Sequence, residues 1–578
     1  MRAFKAVALL PLLAAGLASA AETEDVVLKA MRDELARARG IKLETLDSPY
    51  YIEYAIDEGD TFSAAASLGG LVSFNRDRFR QPNVQVRVGD YDFDNTNYIA
   101  SGFPFGSRYR LGRFPVEDSY NVMRRHLWLA TDQGYKAALQ AIARKRSALQ
   151  NVAGAEQLPD FSHADPVRLL LPYQPAPFQE EAWKSLVRSL SGIFKKYPEV
   201  MHSTVDLQAF QGLRYLVNSE GSEVRDTGSL IFVRVRANTQ ASDGMLLRSA
   251  HVVHARHFGG LPSEQELAAG IAGVAESLTA LKNAPVGEDY NGPILFEGEA
   301  AAQLFAQVLG RNLATLRKPV MEPGRSSPFP SGELEGRMGA RILPEWIDVV
   351  DDPTQKEWRG KELIGHYAID MEAVVPKPVV VVEKGVLKNF LHTRRPSRGR
   401  AASNGRARLP GPFGARTAAI SNLFVRASET LTPDKLKAQL MELCKLRDKP
   451  YGLIVRKMDF PSSASVDEVR RVISSQSGSA NPVSAPILVS RVYPDGREEL
   501  IRGVRFKGLT ARSLKDILAA SNESHSFEYL DSGAPFALMG AGSTLADSVV
   551  IAPSVLIDDL EIQKIDDDFP RPPLVPAP

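Results

Sequence analysis

Residues 293–315 read PILFEGEAAAQLFAQVLGRNLAT, and they join a short apolar run to a helix-forming segment. The PILF run is typical of a buried strand, and the residues from Glu299 onward are apolar at helical spacing. The residues expected on the inward face of this helix are Leu304, Phe305, Val308, Leu309 and Leu313. The stretch therefore predicts a strand followed at once by a helix with one buried face.

The chain differs in character on the two sides of this unit. Upstream, predicted helices at 24–38, 120–147 and 180–196 are mixed with predicted strands at 49–55, 63–74 and 84–88. Downstream of about residue 336 strands dominate, and one helix interrupts them with Thr432 as N-cap and Pro433 at its first position. These patterns predict an α+β fold, with a mixed α/β N-terminal domain followed by a β-rich C-terminal domain.

Changes in these patterns also suggest boundaries. Ser263 and Glu266 have capping-box spacing, and the helix that they begin is expected to reach residue 282. The predicted units are as follows: a signal segment at 1–20, an N-terminal α/β domain at 21–225, a central helical linker domain at 226–290, a β-rich domain at 291–565 and a proline-rich tail at 566–578.

The composition is that of a large globular protein without a dominant charge. The chain has 578 residues, 44% of them hydrophobic, and a formal net charge of +1. At roughly 100–200 residues per domain this length corresponds to two to four domains. Because no strong positive field is present, we expect no nucleic-acid partner. A single cysteine, Cys444, excludes an intramolecular disulfide.

The first twenty residues have the three parts of a secretory signal peptide. Arg2 and Lys5 precede an apolar stretch, and Ala18-Ser19-Ala20 has the small residues of a cleavage site. The apolar stretch is too short for a membrane helix, which needs about 20 apolar residues, and no later segment is apolar enough to span a bilayer. We therefore expect a periplasmic or secreted protein with no membrane span.

Segments spread from about residue 25 to 565 resemble the TldD/PmbA (TldE) family, whose members include zinc metallopeptidase subunits. Among them are SPYYIEYAI at 48–56, VRVGDYDFDN at 86–95, GARILPEWIDVVDDPT at 339–354 and VVIAPSVLIDDLEI at 549–562. The signal-bearing form resembles a distinct, secreted branch of that family. The resemblance implies a barrel-like C-terminal domain and a dimer that encloses a cavity.

Active members of the family carry an HExxxH motif on the helix after the short strand. Two histidines and a third ligand hold Zn²⁺ there, and the glutamate takes a proton from the metal-bound water. Aligned with this helix, the resemblance places Ala306 and Gln307 at the His-Glu pair and Arg311 at the second histidine. Alanine has no donor atom, glutamine is not a base, and arginine is permanently cationic.

The third ligand of the family, usually a cysteine, is missing as well. Residues 531–553, where it would fall, contain neither Cys nor His, and Cys444 is expected to be a small buried hydrophobe in the 433–447 helix. The resemblance therefore implies a non-catalytic, TldE-type subunit without catalytic residues or a cofactor of its own. Zinc is expected only in an active partner.

A histidine cluster leaves a second possibility open. His251, His254 and His257 would lie on neighbouring faces of a helix, whereas on a strand His254 would point away from the other two. The segment favours a strand, which disfavours a metal site. An active zinc metallopeptidase with such non-standard ligands remains an alternative, as does a non-enzymatic envelope protein that binds peptides.

An arginine-rich stretch is the remaining candidate site. Seven arginines and no acidic residue lie between positions 394 and 416: Arg394, Arg395, Arg398, Arg400, Arg406, Arg408 and Arg416. Its glycine, proline and serine content predicts a long loop, which either faces a partner or peptide or is simply solvated. The expected partners are an unfolded peptide and either a second copy of this chain or an HExxxH-bearing TldD-like paralogue.

Overall fold

The computed structural model describes residues 25–42, 46–99, 108–109, 114–150, 158–314, 317–321, 332–410, 416–459, 483–531, 546–571 and 573. The predicted signal segment at 1–20 lies outside these residues. Within them, no helix has both the length and the apolar character needed to cross a bilayer.

The N-terminal half is built on a seven-stranded sheet. Its elements are α1 (Val26–Ala38), β1 (Pro49–Ser67), β2 (Gly70–Val88), β3 (Tyr98–Ile99), β4 (Arg108–Tyr109), α2 (Tyr120–Leu149), β5 (Arg168–Leu170), α3 (Glu180–Gly192), β6 (His202–Asn218), β7 (Glu223–Gln240), β8 (Leu246–Ala255) and α4 (Glu264–Asn283). The strand order is β4-β2-β1-β6-β7-β5, and β8 pairs with β7. The predicted α1, α2 and α3 are thereby confirmed.

The short strands predicted at 49–55, 63–74 and 84–88 are wrong as separate elements, because β1 and β2 form one long hairpin of two 19-residue strands. Leu68 and Gly69 make its two-residue turn with positive φ angles of 48° and 81°, as a type I′ turn requires. Acidic residues in the middle of β1 resemble a loop in sequence. They are accommodated because Asp57 pairs with Arg214 on β6 at 2.7 Å.

One face of this sheet carries two pairs of helices. Two apolar clusters lie on this face, and even-numbered residues of β1 contribute to both. Ile52 and Ile56 belong to the cluster beneath α1 and α2, whereas Phe62 and Ala66 belong to the cluster beneath α3 and α4. Since alternate residues of a strand share a face, all four helices cover the same side. The two clusters therefore occupy successive parts of the same long strands.

A row of glycines crosses the sheet between the two clusters. Gly59 on β1 pairs with Gly212 on β6, which pairs with Gly228 on β7. A Cβ on Gly212 would lie only 2.1 Å from the Glu58 carbonyl oxygen, and the Phe210 ring lies against both Gly59 and Gly212. The absence of side chains thus allows a close approach of β1 and β6, and an aromatic ring covers the gap.

The predicted boundary at residue 225 falls inside β7, which spans Glu223–Gln240. Strands β7 and β8 belong to the N-terminal sheet, and α4 packs on both of them. The capping box that begins α4 is confirmed, because Ser263 Oγ accepts from the Glu266 N–H and the Glu266 carboxylate accepts from the Ser263 N–H. The region predicted as a separate helical linker is therefore continuous with the N-terminal sheet.

The C-terminal half contains an eleven-stranded sheet in the described residues. Its elements are β9 (Tyr290–Phe296), α5 (Glu299–Leu304), β10 (Val320–Met321), β11 (Ile347–Asp351), β12 (Glu357–Trp358), β13 (Lys361–Glu362), β14 (Val379–Glu383), β15 (Val386–Leu387), β16 (Ala407–Pro410), β17 (Arg416–Ala418), β18 (Asn422–Ala427), α6 (Pro433–Leu446), β19 (Gly452–Met458), β20 (Pro486–Val492), β21 (Glu498–Ile501), β22 (Val504–Lys507), β23 (Ile517–Asp531) and β24 (Ala546–Lys564).

The sheet path runs β15-β14-β11-β18-β24-β9-β19-β20-β21, with β22 and β23 also paired to β24. Its two end strands, β15 and β21, do not pair with each other in the described part of the chain. The α+β class is confirmed, but the expected barrel-like closure is not found.

Helices α5 and α6 lie on opposite faces of this sheet at β9. Ile294 and Phe296 belong to the same apolar cluster as α5, whereas Leu295 packs with Leu436 and Leu440 of α6. The continuous apolar run of β9 is thus explained by burial on both faces. The strand predicted from the PILF motif is confirmed, and so is the α6 helix that begins at Pro433.

The last described residues cross back to the N-terminal sheet. Phe569 packs against the apolar cluster beneath α3 and α4. The Pro570 carbonyl accepts a hydrogen bond of 2.6 Å from the Gln240 side chain and lies close to Gly244, which has a φ of 92°. The beginning of the predicted tail is therefore docked on the N-terminal half of the protein.

We expect Gly212→Ala to destabilise the protein, because the new methyl group would overlap the Glu58 carbonyl oxygen. Overpacking of this kind costs about 1–3 kcal/mol, which urea denaturation followed by circular dichroism would detect. Gly228→Ala is the matched control on the neighbouring strand, since its Cβ would meet nothing nearer than 3.5 Å. Equal losses for the two variants would contradict the proposed close approach.

Candidate functional site

The helix that follows β9 is anchored firmly at its start. β9 lies between β24 and β19 in the sheet. The Glu297 N–H donates to the Val455 carbonyl at 2.9 Å, and the Gly298 N–H donates to Ser554 Oγ at 2.9 Å. Gly298 has a φ of 60°, which turns the chain directly from the strand into α5. The position of the helix is therefore set by both neighbouring strands.

The helix is regular only over its first turns. Sequence predicts one helix from Glu299 to about Thr315, whereas α5 ends at Leu304 and continues as a π-helical turn over Phe305–Leu309 and a 3₁₀ turn over Gly310–Asn312. π-helical turns inside helices are frequent at functional sites. This one contains two of the three positions at which the family resemblance expects zinc chemistry.

Two glutamine side chains on this helix hold the ends of neighbouring chain segments. Gln303 Oε1 accepts from the Met458 N–H at 2.7 Å, and Gln307 Oε1 accepts from the Ser484 N–H at 2.8 Å. The four-residue spacing puts both amides on one helix face. Both side chains are buried, so these bonds satisfy backbone donors that water does not reach. The sequence prediction missed the role of Gln303.

The three positions of the expected motif do not form a metal site. Ala306 is fully buried in the apolar core and has no donor atom. The amide of Gln307 also donates to the Gln303 carbonyl at 3.3 Å. The guanidinium of Arg311 lies 3.7 Å from Asp531 Oδ1. An engaged amide and a permanent cation do not provide the thiolate, imidazole or carboxylate donors that zinc prefers.

Other potential ligands lie apart in the described residues. No group of three or more His, Cys, Asp or Glu side chains there is placed to hold a metal ion. The strand expected at the histidine cluster is confirmed as β8, which ends at Ala255 and so excludes His257. His254 is buried, 3.8 Å from Glu528 Oε2, whereas His257 lies beyond the strand and 3.4 Å from Glu362 Oε2.

The remaining histidine of this cluster, His251, packs against α4 at Gly270. Burial, together with the nearby Lys457, lowers the pKa of His251 to about 4. The imidazole is therefore neutral over most of the acidic range. Its surroundings are those of a packed core histidine on a strand beneath a helix.

The only cysteine behaves as the sequence predicts. Cys444 is fully buried on α6 and packs with Leu436 and Leu440. Burial raises the pKa of its thiol, so the neutral form is favoured. Its surroundings are those of a small core residue.

The arginine-rich stretch divides into inward-facing and outward-facing parts. The expected long loop ends in a short two-stranded sheet of β16 and β17. Arg394 pairs with Glu220 at 2.6 Å, and Arg406 pairs with Asp351 at 2.6 Å, both guanidinium groups being buried. Arg408 donates to the Ile420 and Asp547 carbonyls at 2.8 and 2.6 Å.

Three further arginines of the stretch are more accessible than Arg394 and Arg406. Arg398 is exposed, Arg400 lies 4.2 Å from the Phe390 ring centroid, and Arg395 is half-buried beside Arg394. The structure thus brings Arg394 and Arg395 to the contact between the two halves of the chain. Arg406 and Arg408 instead support the C-terminal sheet.

Comparisons with known proteins agree with the architecture around α5. Residues 289–564 match the family described as the PmbA/TldA metallopeptidase C-terminal domain. A curated relative named metalloprotease, from Archaeoglobus fulgidus, is 36% identical over 191 residues, which cover 32% of this chain and 36% of that relative. The aligned region is therefore little more than a third of the relative's length.

Two solved structures resemble nearly the whole chain. TldE from Thermococcus kodakarensis aligns over 92% of this chain and 100% of its own, with a TM-score of 0.53 and 12% identity. A Bacteroides thetaiotaomicron protein described as a proposed modulator of DNA gyrase aligns over 93% and 98%, with a TM-score of 0.56 and 9% identity. At these identities the likeness shows the fold alone.

The C-terminal half is therefore similar to the C-terminal domain of the PmbA/TldA metallopeptidases. The predicted domain at 291–565 nearly coincides with the residues that match the family, 289–564. The helix with Gln303 and Gln307 belongs to that domain, and the likeness in fold extends over the N-terminal sheet as well.

Gln307→Leu is expected to destabilise the protein, because the buried Ser484 N–H would lose its acceptor. An unsatisfied buried donor costs about 1–3 kcal/mol, which would appear as a lower melting temperature. Gln265→Leu, at an exposed position of α4, is the matched control. If the two variants melt alike, the glutamine does not hold this segment.

Stability is expected to fall on acidification because of His251. Its pKa of about 4 in the folded protein is below the value of about 6.5 in unfolded chains. The contribution of the neutral His251 side chain to the free energy of unfolding is therefore complete above pH 6.5. It is lost as the pH falls toward 4, by at most roughly 1.4 kcal/mol per pH unit. Urea titrations of wild type and His251→Gln should show a shallower decline in the variant, while His202→Gln, at an exposed position, should follow wild type.

Proposed function

We propose that this chain is an exported, non-hydrolytic relative of the TldD/PmbA metallopeptidases. It binds an unfolded peptide as a dimer, formed either with a second copy or with an HExxxH-bearing TldD-like paralogue. The observation that carries the proposal is the side-chain set of the helix after β9. There the expected metal and base positions are Ala306, Gln307 and Arg311, and the amide of Gln307 is committed to backbone groups.

Hydrolysis of a peptide bond by this family's chemistry needs a polarising metal and a base for its water. The residues present do not fit zinc, because Ala306 lacks a donor and the cation of Arg311 would repel a metal ion. Gln307 would not accept a proton from water, since an amide is not basic. The proposed role is therefore binding, with any cleavage supplied by the partner.

Peptide binding is supported by the exposed edge of the N-terminal sheet. In the described residues, β4 covers β2 only at Val84 and Gln85. The outer edge of β2 before these residues therefore carries backbone groups available to an added strand. Val72 and Phe74 on this part of β2 are 67% and 56% exposed, which adds apolar surface for peptide side chains.

Export and partner contact rest on the sequence. The signal pattern of residues 1–20 supports a periplasmic or secreted location. Arg398, exposed in the turn after Arg395, remains the proposed point of contact for a partner or an acidic peptide. Arg394 and Arg406 are less suited to this role because their guanidinium groups are fully buried.

The test is a pull-down of the tagged full-length protein from native envelope extract, combined with metal analysis of the purified chain. We expect substoichiometric zinc, no chelator-sensitive cleavage of unfolded casein, and co-purification of a second copy or of an HExxxH-bearing chain. An unrelated exported protein with the same tag serves as the control.

Stoichiometric zinc together with chelator-sensitive cleavage would overturn the proposal and favour an active metallopeptidase with unusual ligands. Recovery of a monomer without any partner would instead favour a stand-alone envelope protein that binds peptides. The two outcomes are separable, because the first is measured on the purified chain and the second on the extract.

A further inference from the structure

A dense group of charged side chains lies where the N-terminal sheet meets the C-terminal domain. The guanidinium groups of Arg87 and Arg394 both contact the ring of Phe161, at 3.7 and 4.0 Å from its centroid. Arg394 also donates to the Ser162 carbonyl, and the Ser162 N–H donates to the Arg394 carbonyl at 2.8 Å. Phe161 and Ser162 are therefore bound tightly to Arg394.

Most charges in this group are paired. The ion pairs are Arg87 with Asp94, Arg394 with Glu220, Lys145 with Asp160, and Arg317 with Asp160. A further carboxylate, Glu372, accepts from the backbone N–H of Arg394 at 2.6 Å. Buried charges need such partners because desolvation penalises them strongly.

Arg395 is the exception. Its backbone N–H donates to Thr393 Oγ1 at 3.3 Å, but its side chain has neither a hydrogen bond nor an ion pair with any residue in the described ranges. Burial and the neighbouring cations Arg87 and Arg317 lower the pKa of Arg395 to about 10. The guanidinium nevertheless stays charged at neutral pH, so its positive charge is left without a direct counterion.

Unused donors lie in the same group. Ser162 Oγ is buried without a hydrogen-bond partner, and so is Nδ2 of Asn95, whose Oδ1 accepts from the Val88 N–H. Native proteins seldom leave buried polar atoms unpaired. The carboxylates of Glu372 and Asp94 offset part of the charge of Arg395, but neither forms an ion pair with it. A guanidinium without a hydrogen-bonded counterion is a group that an oxyanion would satisfy.

We propose that Arg395 is the recognition residue of an oxyanion site that takes the C-terminal carboxylate of a bound peptide. This deepens the proposed function and rests on its peptide-binding part. A carboxylate fits because its single negative charge matches the one unpaired guanidinium, and its two oxygens match the guanidinium fork. Phosphate would bring up to two negative charges against one cation.

Access to the site comes from the turn that follows. Arg398 and Gly399 are exposed, and Arg395 itself retains partial exposure. A chain terminus can therefore reach the guanidinium without displacing the paired core of Arg394 and Glu220. A peptide captured in this way would have its end fixed between the two halves of the protein.

The first experiment measures melting temperatures of the full chain in sodium acetate and in sodium phosphate, with sodium chloride at equal ionic strength as reference. Acetate is expected to raise the melting temperature of wild type and of the control variant Arg505→Gln, at an exposed position of β22, but not that of Arg395→Gln. Without added anion, Arg395→Gln should melt no lower than wild type, because it removes an unpaired buried charge. Arg395→Lys keeps the charge and provides a second test if the glutamine variant folds poorly.

The second experiment distinguishes a peptide terminus from a free small carboxylate. Fluorescence anisotropy is measured with a fluorescein-labelled β-casein peptide made once as the free acid and once as the C-terminal amide. Wild type and Arg505→Gln should bind the free acid about tenfold more tightly, as expected for a charge-assisted pair. Arg395→Gln should bind both forms equally.

Three results would overturn the proposal: equal binding of acid and amide by wild type, a preference for the acid that survives in Arg395→Gln, or protection by phosphate and not by acetate. These readouts involve neither zinc nor a paralogue. A failed pull-down with an intact Arg395-dependent preference would therefore reject the subunit role alone, and the reverse result would reject only the carboxylate site.

Discussion

The need to satisfy both edges of one long buried strand shapes the C-terminal half. β24 is 19 residues long and pairs with β9, β18, β22 and β23. Backbone donors and acceptors removed from water must find partners, and here strands from widely separated parts of the sequence supply them. β18, in parallel contact at Asn422, and β9, in antiparallel contact at Phe296, follow each other along one edge of β24, and β23 occupies the opposite edge. The location of α5 follows, because it begins directly after β9.

A second constraint is the pairing of charged side chains where the N-terminal and C-terminal halves meet. Cationic side chains from both halves, Arg87 and Arg394, share the surface around Phe161, and their carboxylate partners Asp94 and Glu220 come from the N-terminal half. Further pairs cross the contact, among them Arg248 with Asp459 and Arg256 with Asp547. Isolated ion pairs on the surface contribute little to stability. A buried network of ion pairs restricts how the two halves are oriented, because separating the halves would leave its charges uncompensated. Apolar packing of Phe569 adds to the same contact.

Local sequence patterns predicted much of the fold. The features that they did not predict depend on pairing between distant segments of the chain. Periodicity identified α1, α2, α6 and β9, and the spacing of Ser263 and Glu266 identified the start of α4. The full length of β1 was not predictable from apolar alternation, because Asp57 sits within it and is balanced by Arg214 from another strand. In the candidate site, residue types alone excluded zinc ligands at Ala306 and its neighbours. They did not reveal the glutamine contacts, which depend on backbone groups of distant segments.

The contact of Phe569 and Pro570 with the N-terminal sheet has a consequence for biosynthesis. Neither half can close around its complete set of neighbours until β24 and residues 569–570 have been synthesised. Domains that fold as they leave the ribosome depend on contacts made early in the chain. Here β24 and Phe569 complete the two halves, so folding is expected to wait for the synthesis of these residues and to proceed slowly, as non-local pairing does.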